Sequence, residues 1–144
     1  FGGIMEAGGL LQRITRAVIR WAYNQGSLIA STAATCIFFN ITASDQYLAI
    51  VVPGRMFADT YRERGLAPQN LSRTLEDSGT VTSVLVPWNT CGATQSTVLG
   101  ISTLTYLPYC FFNIISPIMT VFFGVMNIKI ARLGNKPDEK IVQN

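Results

Sequence analysis

The feature that most constrains this chain is a long run without charge. No Asp, Glu, Lys or Arg occurs between Asp77 and Lys129, so residues 78–128 make 51 consecutive uncharged residues. A membrane-spanning helix needs about 20 predominantly apolar residues, and this run holds two such lengths and a turn. A buried hairpin of a water-soluble fold also loses charge locally, but it keeps a polar stripe at helical spacing on its wet face. From residue 96 to 128 the polar side chains are Ser96, Thr97, Ser102, Thr103, Thr105, Asn113, Ser116, Thr120 and Asn127, besides tyrosines. These are small, scattered groups that lipid-embedded helices tolerate. A second stretch, residues 21–54, carries a single charge, Asp45. Charged residues are 13% of the chain, against about 25% in average soluble domains. The expectation is an all-α, polytopic membrane protein in a lipid bilayer.

Several function classes are set aside by composition. With no histidine in the chain, neither a His-based triad nor a His-containing zinc site is available. Cys36, Cys91 and Cys110 lie in apolar segments without CxxC spacing, so they read as small core residues and suggest neither a disulfide framework nor a transition metal. A net charge of +3, scattered along the chain, gives no nucleic-acid footprint. No nucleophile–base pair is apparent, so neither an enzyme nor a resident cofactor is expected. The chain opens at Phe1 inside an apolar, Gly-rich stretch, which reads as a piece of a longer polypeptide.

Residues 1–20 place Leu10, Leu11, Ile14, Ala17 and Val18 at helical spacing with Arg13, Arg16 and Arg20 opposite, the pattern of an amphipathic helix at a membrane surface. In residues 21–54 an apolar half, Ser27 to Phe39, meets the polar cluster Asn40 to Gln46, and a second apolar half, Tyr47 to Val52, ends at Pro53-Gly54. Two arrangements fit: a re-entrant helical hairpin with the polar cluster at its tip, or one full span with Asp45 at its far edge. Residues 55–77 read as a polar connector, with a short interfacial helix over 55–64 that Gly65 and Pro68 stop, and with Arg73 paired to Glu76 or Asp77. Residues 78–128 make two passes. The first, 78–100, is broken around Pro87-Trp88-Asn89-Thr90-Cys91-Gly92, where proline removes a helix hydrogen bond. The second, a final transmembrane helix over 101–128, carries Pro108 and Pro117 as kinks. Residues 129–144 form a polar tail. Trp21 reads as an interface anchor and Trp88 as a packing residue.

The eleven basic residues fall into three clusters, Arg13/Arg16/Arg20, Arg55/Arg62/Arg64/Arg73 and Lys129/Arg132/Lys136/Lys140. Two passes in 78–128 and a hairpin at 21–54 put all three on one side, which the positive-inside rule makes cytoplasmic. A full span at 21–54 would divide them, so the rule favours the hairpin.

A carboxylate at membrane depth is a functional candidate by default. Asp45 stands among Asn40, Thr42, Ser44 and Gln46, hard oxygen ligands suited to a small alkali cation. The break adds Asn89, Thr90 and backbone carbonyls, and sodium in transporters is held by such side chains and by carbonyls of unwound helices. One buried carboxylate holds either a proton or a sodium ion, and that competition suffices for exchange across a site open alternately to each side. Structural roles stand beside these. Ser44 or Asp45 fits an N-cap of the hairpin's second helix, Asn89 and Thr90 fit partners for carbonyls that Pro87 frees, and Glu76, Asp77, Ser78 and Thr80, secondary ion-coupling candidates, fit an interfacial helix start.

The runs Thr42-Ala43-Ser44-Asp45-Gln46-Tyr47, Pro53-Gly54-Arg55-Met56-Phe57, Asn70 to Thr80 (NLSRTLEDSGT) and Pro87-Trp88-Asn89-Thr90-Cys91-Gly92-Ala93 resemble the NhaC-type sodium/proton antiporter family. Phe1-Gly2-Gly3-Ile4-Met5-Glu6 and Tyr106-Leu107-Pro108-Tyr109 fit the same pattern, so the resemblance covers nearly the whole chain. It implies two inverted halves, each with a re-entrant hairpin and a broken helix, with the transport site between them. Residues 21–54 would be the second hairpin and 78–100 the second broken helix, with Asn40 through Asp45, Asn89 and Thr90 as candidate ligands for sodium. The expected partners are then the lipid bilayer, sodium ions, protons and the N-terminal half of the same transporter, in the cell membrane; homo-oligomer formation is compatible with this. A fragment of this kind would be inactive alone. Related members exchange organic acids such as malate for lactate with sodium and protons. A non-transporting membrane anchor or interaction subunit is the reading from another class.

Overall fold

A computed structural model describes residues 7–128 together with Ile4, Ile130 and Arg132. The rest of the opening segment and of the tail over 129–144 lies outside the described residues. Every helix or strand element among those described is helical, and the one extended pairing is an isolated bridge between Leu66 and Arg132. The helices are α1 (Leu10–Trp21), α2 (Gln25–Thr42), α3 (Gln46–Glu63), α4 (Pro68–Leu75), α5 (Val81–Ser83), α6 (Thr90–Leu99), α7 (Thr103–Tyr106) and α8 (Phe111–Val125). A π-helical segment, Glu76–Thr80, joins α4 to α5, and a 3-10 turn, Leu107–Tyr109, follows α7.

The second helix and the third form a helical hairpin. Ser44 takes a positive φ of 56°, a conformation that non-glycine residues seldom adopt, and this reverses the chain in a few residues. Asp45 then caps α3, its carboxylate accepting the Tyr47 N–H at 2.9 Å, which satisfies one of the orphan donors at a helix start. Of the two sequence-level candidates for this cap, Asp45 fills the role.

The hairpin's second arm is longer than the pattern suggests. Sequence reading ends it at Pro53-Gly54 and starts a separate interfacial helix at Arg55, whereas α3 runs unbroken to Glu63. The reason is a continuous buried stripe, Ala49, Val52, Pro53, Met56, Phe57, Thr60 and Tyr61, with the three-and-four spacing of one helix face. Packing along that stripe carries the helix across the proline. Pro53 has no N–H to offer the Ala49 carbonyl one turn back. Gly79 packs at that turn, where an added Cβ would lie 3.4 Å from the same carbonyl oxygen. Met56, Phe57 and Tyr61 are buried core, not the apolar side of a surface helix.

Pro68 also works opposite to the expectation. It does not stop a helix but opens α4 from its first turn, where a missing N–H costs nothing. Residues 68–83 then climb as one helix with a π segment in its middle. Glu76, Asp77, Ser78 and Thr80 therefore sit mid-helix, not at an interfacial helix start. The helix stops at Ser83 and restarts at Thr90, so the interruption spans 84–89, and Cys91 and Gly92 belong to the restarted helix.

At the other end of the hairpin three basic segments come together. The Arg64 guanidinium donates to the Ala22 carbonyl just after α1, and Leu66 pairs with Arg132. The final helix packs tightly here as well: a Cβ on Gly26 would lie 2.6 Å from the Val125 Cα, and one on Gly124 would lie 3.0 Å from the Ile29 Cδ1. Small residues let α2 and α8 approach this closely. Among the described residues no single helix is long and apolar enough to cross a membrane. The segment Thr103–Tyr109 with Phe111–Val125 reaches that length and apolarity only as a pair bent by 60°. Many side chains of this pair face outward, among them Leu104, Tyr109, Phe111, Phe112, Ile118 and Phe122.

Candidate functional site

The hairpin tip and the helix interruption meet, and two asparagines make the junction. Asn40, in the last turn of α2, and Asn89, the N-cap of α6, are both fully buried. The Asn89 amide donates to the Asn40 side-chain Oδ1 and main-chain carbonyl, each at 3.2 Å. The Asn40 amide in turn donates to the Gly79 carbonyl at 2.7 Å and to Thr82 Oγ1 at 3.0 Å. On its acceptor side Asn89 takes the Cys91 N–H at 3.1 Å and the Thr90 hydroxyl at 3.4 Å. Both amides are thus engaged in donation and acceptance, as buried polar groups require.

The same junction caps the C-terminal end of α2. The Trp88 indole N–H donates to the Ile41 carbonyl at 2.8 Å, and the Thr90 N–H donates to the Ser44 carbonyl at 3.1 Å. With the Asn89 contact to Asn40, residues 88–90 supply donors to three carbonyls at the hairpin tip. Cys91 adds a contact from its thiol to the Gln46 side chain. Asn89 therefore serves the end of the neighbouring helix and not a carbonyl freed by Pro87. Trp88 is no packing residue: its ring is exposed while its N–H holds the tip.

Four helix ends converge here: the C-termini of α2 and α5 and the N-termini of α3 and α6. The carbonyl-bearing C-terminal ends carry partial negative charge and favour a cation. Of the candidate ligands, the structure joins Asn40, Asn89, Thr90 and the Ser44 main chain into one network. Asp45 and Ser44 sit beside it at the tip, half-buried. Thr42 stands apart: it is exposed, and its hydroxyl donates back to the Phe38 carbonyl at 2.8 Å. Among the described residues no three His, Cys, Asp or Glu side chains gather as a metal-binding group.

The secondary candidates divide. Asp77 pairs with Arg73 at 3.7 Å, one helical turn back, and accepts the Ser116 hydroxyl at 3.2 Å and the Thr120 hydroxyl. It ties the π segment to α8, away from the tip. Glu76 is exposed. Ser78 is fully buried, and its hydroxyl has no hydrogen-bond partner among the described residues. Thr80 gives its carbonyl to the Ser83 hydroxyl at 2.7 Å. Sequence reasoning missed Thr82 and Gly79, which hold Asn40. The available signal was Thr74, Ser78 and Thr82 spaced four apart, a buried polar row along one helix face. It matches the buried row Thr32, Cys36 and Asn40 on α2.

The sequence matches known proteins along most of its length. The model of the Na+/H+ antiporter family matches residues 1–128. The chain belongs to the Na+/H+ antiporter family. It is 38% identical to the Na(+)/H(+) antiporter NhaC of Alkalihalophilus pseudofirmus over 94% of its length and 30% of that protein's. Against the NhaC of Bacillus subtilis the identity is 36%, over 85% of this chain and 27% of the relative. Against the arginine/ornithine antiporter ArcD of Halobacterium salinarum it is 40%, over 90% of this chain and 27% of the relative. The chain thus spans less than a third of the length of these curated relatives of the antiporter family. No solved structure matches it significantly.

Proposed function

We propose that this chain forms part of a secondary active transporter of the cell membrane that exchanges sodium for protons. The observation that carries the reading is the buried Asn40–Asn89 junction, which sets an acid-bearing hairpin tip against a helix interruption. The hairpin is re-entrant, the helix over 68–99 is the broken one, and the bent 103–125 pair completes the passage. The gathering of Arg64, Ala22, Leu66 and Arg132 at the hairpin base supports a cytoplasmic base, because the basic segments then share one side. The N-terminal half of the same polypeptide supplies the rest of the site, and only transported Na+ and H+ are bound, with no resident cofactor.

In this mechanism the asparagine pair is scaffold. Its amides are engaged with each other and with Gly79 and Thr82, so they hold the tip and the break at one depth. The Asp45 carboxylate and the Ser44 and Thr90 hydroxyls, at the edge of this network, meet the ion. A proton and a sodium ion both seek the oxygens of a single carboxylate. The two cargoes therefore exclude one another. Asp45→Asn in the full-length protein tests this: asparagine caps a helix about as well as aspartate, so the hairpin persists while the titrating group is gone. Sodium-driven pH change in proteoliposomes should vanish. Unchanged exchange would remove Asp45 from the mechanism, and absence of any transport by the unaltered protein would favour a membrane anchor.

A second reading, a sodium- or proton-coupled exchanger of organic acids or amino acids, is supported by the 40% identity to the arginine/ornithine antiporter. Against it, no basic residue lies in the tip or the break to receive a carboxylate. Counter-flow of labelled arginine, ornithine, malate or lactate separates the two.

A further inference from the structure

The mechanism at the hairpin tip leaves Asp77 unused, although this acid stands in the middle of the helix over 68–83. Its surroundings are specific. The Ser116 hydroxyl donates to Asp77 Oδ1 at 3.2 Å and the Thr120 hydroxyl donates to Oδ2, so each carboxylate oxygen holds one hydroxyl of α8. Two backbone irregularities meet here. On one side the π segment Glu76–Thr80 sends the Val81 N–H back five residues to the Glu76 carbonyl. On the other, Pro117 lies between the two hydroxyls of α8 and has no N–H for the Asn113 carbonyl one turn back. Side-chain oxygens beside carbonyls released from a helix ladder suit a bare or partly hydrated alkali cation.

A cavity of about 360 Å³ adjoins the cluster, bordered by Arg73, Asp77, Ser116 and Thr120, with Phe112 and Met119 in its apolar wall. One water needs only roughly 10–15 Å³, so an ion reaches the carboxylate with part of its hydration. Arg73 now neutralises Asp77, but from 3.7 Å, against about 2.7–2.9 Å for a close ionic hydrogen bond. Its side chain is 54% exposed, and its guanidinium lies 5.8 Å from the centre of the Phe123 ring, an aromatic face that still holds it once Asp77 is taken. A second cation can therefore claim the carboxylate without stranding either charge. One carboxylate matches one unit of positive charge, and a divalent ion would leave an excess that burial penalises. We propose that Asp77, Ser116 and Thr120 form a second sodium site, apart from the hairpin tip, with Arg73 as the resident counter-ion that sodium displaces. The proposal rests on the sodium-exchange reading above and adds an ion site to it.

Titration of the purified full-length protein in micelles with radioactive sodium counts the ions bound per polypeptide. Asp77→Asn should bind one sodium fewer than the unaltered protein, and Asp45→Asn should retain that one. Ser116→Ala combined with Thr120→Val should weaken the same site. Arg73→Gln removes the competing charge and should tighten the site by about tenfold, the low end for a neighbouring opposite charge because Arg73 is exposed. A purely structural ion pair would lose stability in Arg73→Gln and leave sodium affinity unmoved. Folded Asp77→Asn with its full complement of sodium overturns the proposal. Where Asp77→Asn does not fold, Arg73→Gln decides, and unchanged sodium affinity overturns the proposal as well. Exchange is read apart from binding: sodium binding that depends on Asp77, without any sodium-driven pH change in proteoliposomes, would remove the transport reading and keep the site.

Discussion

Removing either member of the Asn40–Asn89 junction leaves the other short of a partner, and the two losses should not add. Asn89→Ala takes away the cap of α6, where the Cys91 N–H is bound at 3.1 Å, a loss of about 0.5–2 kcal/mol. It also leaves the fully buried Asn40 Oδ1 without its donor, and an orphaned buried group costs about 1–3 kcal/mol. The sum is about 1.5–5 kcal/mol. Asn40→Ala leaves the Gly79 carbonyl short of a donor and the Asn89 amide with the main-chain carbonyl of residue 40 alone, for a loss of about 1–3 kcal/mol per group. In the double variant the mutual orphans disappear together, so it should fall short of the sum of the singles by about 1–2 kcal/mol. The measurement is reversible unfolding of the full-length protein in mixed micelles for all four species. Singles that add to the double within a few tenths of a kcal/mol would refute the junction as a coupled unit. Singles indistinguishable from the unaltered protein would refute its burial.

Other outcomes follow from specific contacts. Gly92→Ala should yield no folded protein on size exclusion, because an added Cβ would sit 2.0 Å from the Val86 carbonyl oxygen. Gly100→Ala, with open space around it but a φ of +67°, should cost only about 1–2 kcal/mol for the left-handed backbone by the same unfolding assay. Tyr61→Phe removes the hydroxyl shared with Thr32 at 3.2 Å and should destabilise by about 1 kcal/mol. In the folded protein a maleimide, followed by peptide mapping, should modify Cys110 before Cys36, since Cys36 is fully enclosed and Cys110 is not.

The parts of this molecule legible in its sequence are those written in local chemistry. The neutral run, the polar cluster between two apolar halves, the fit of Asp45 to a cap and the break around Pro87 each depend on residues close together in the chain. Two of the errors came from prolines judged without their surroundings. Pro53 looks like a helix end until Met56, Phe57 and Tyr61 are seen to continue the buried face of Ala49 and Val52. Pro68 looks like a stop until it is found in the first turn of α4. The junction itself was half legible: Asn40 and Asn89 stand out as polar residues in apolar segments, but that they bind each other depends on a contact 49 residues apart. The π segment had no sequence signal that we can name. The pairing of Asp77 with Arg73 was readable from four-residue spacing, whereas its hold on Ser116 and Thr120 of α8 was not.

The two buried polar rows also fix how this region tolerates changes in length. Asn40 meets Thr82 across 42 residues of sequence, and Tyr61 joins Thr32 to Thr74, which are the same interval apart. The helices they lie on therefore advance side by side in step. An added residue in the corner at Gly65 lengthens a bend and leaves both pairings intact. The same insertion within α2 between Thr32 and Asn40 turns everything beyond it by about 100°, and the two ends of the seam can no longer be satisfied at once.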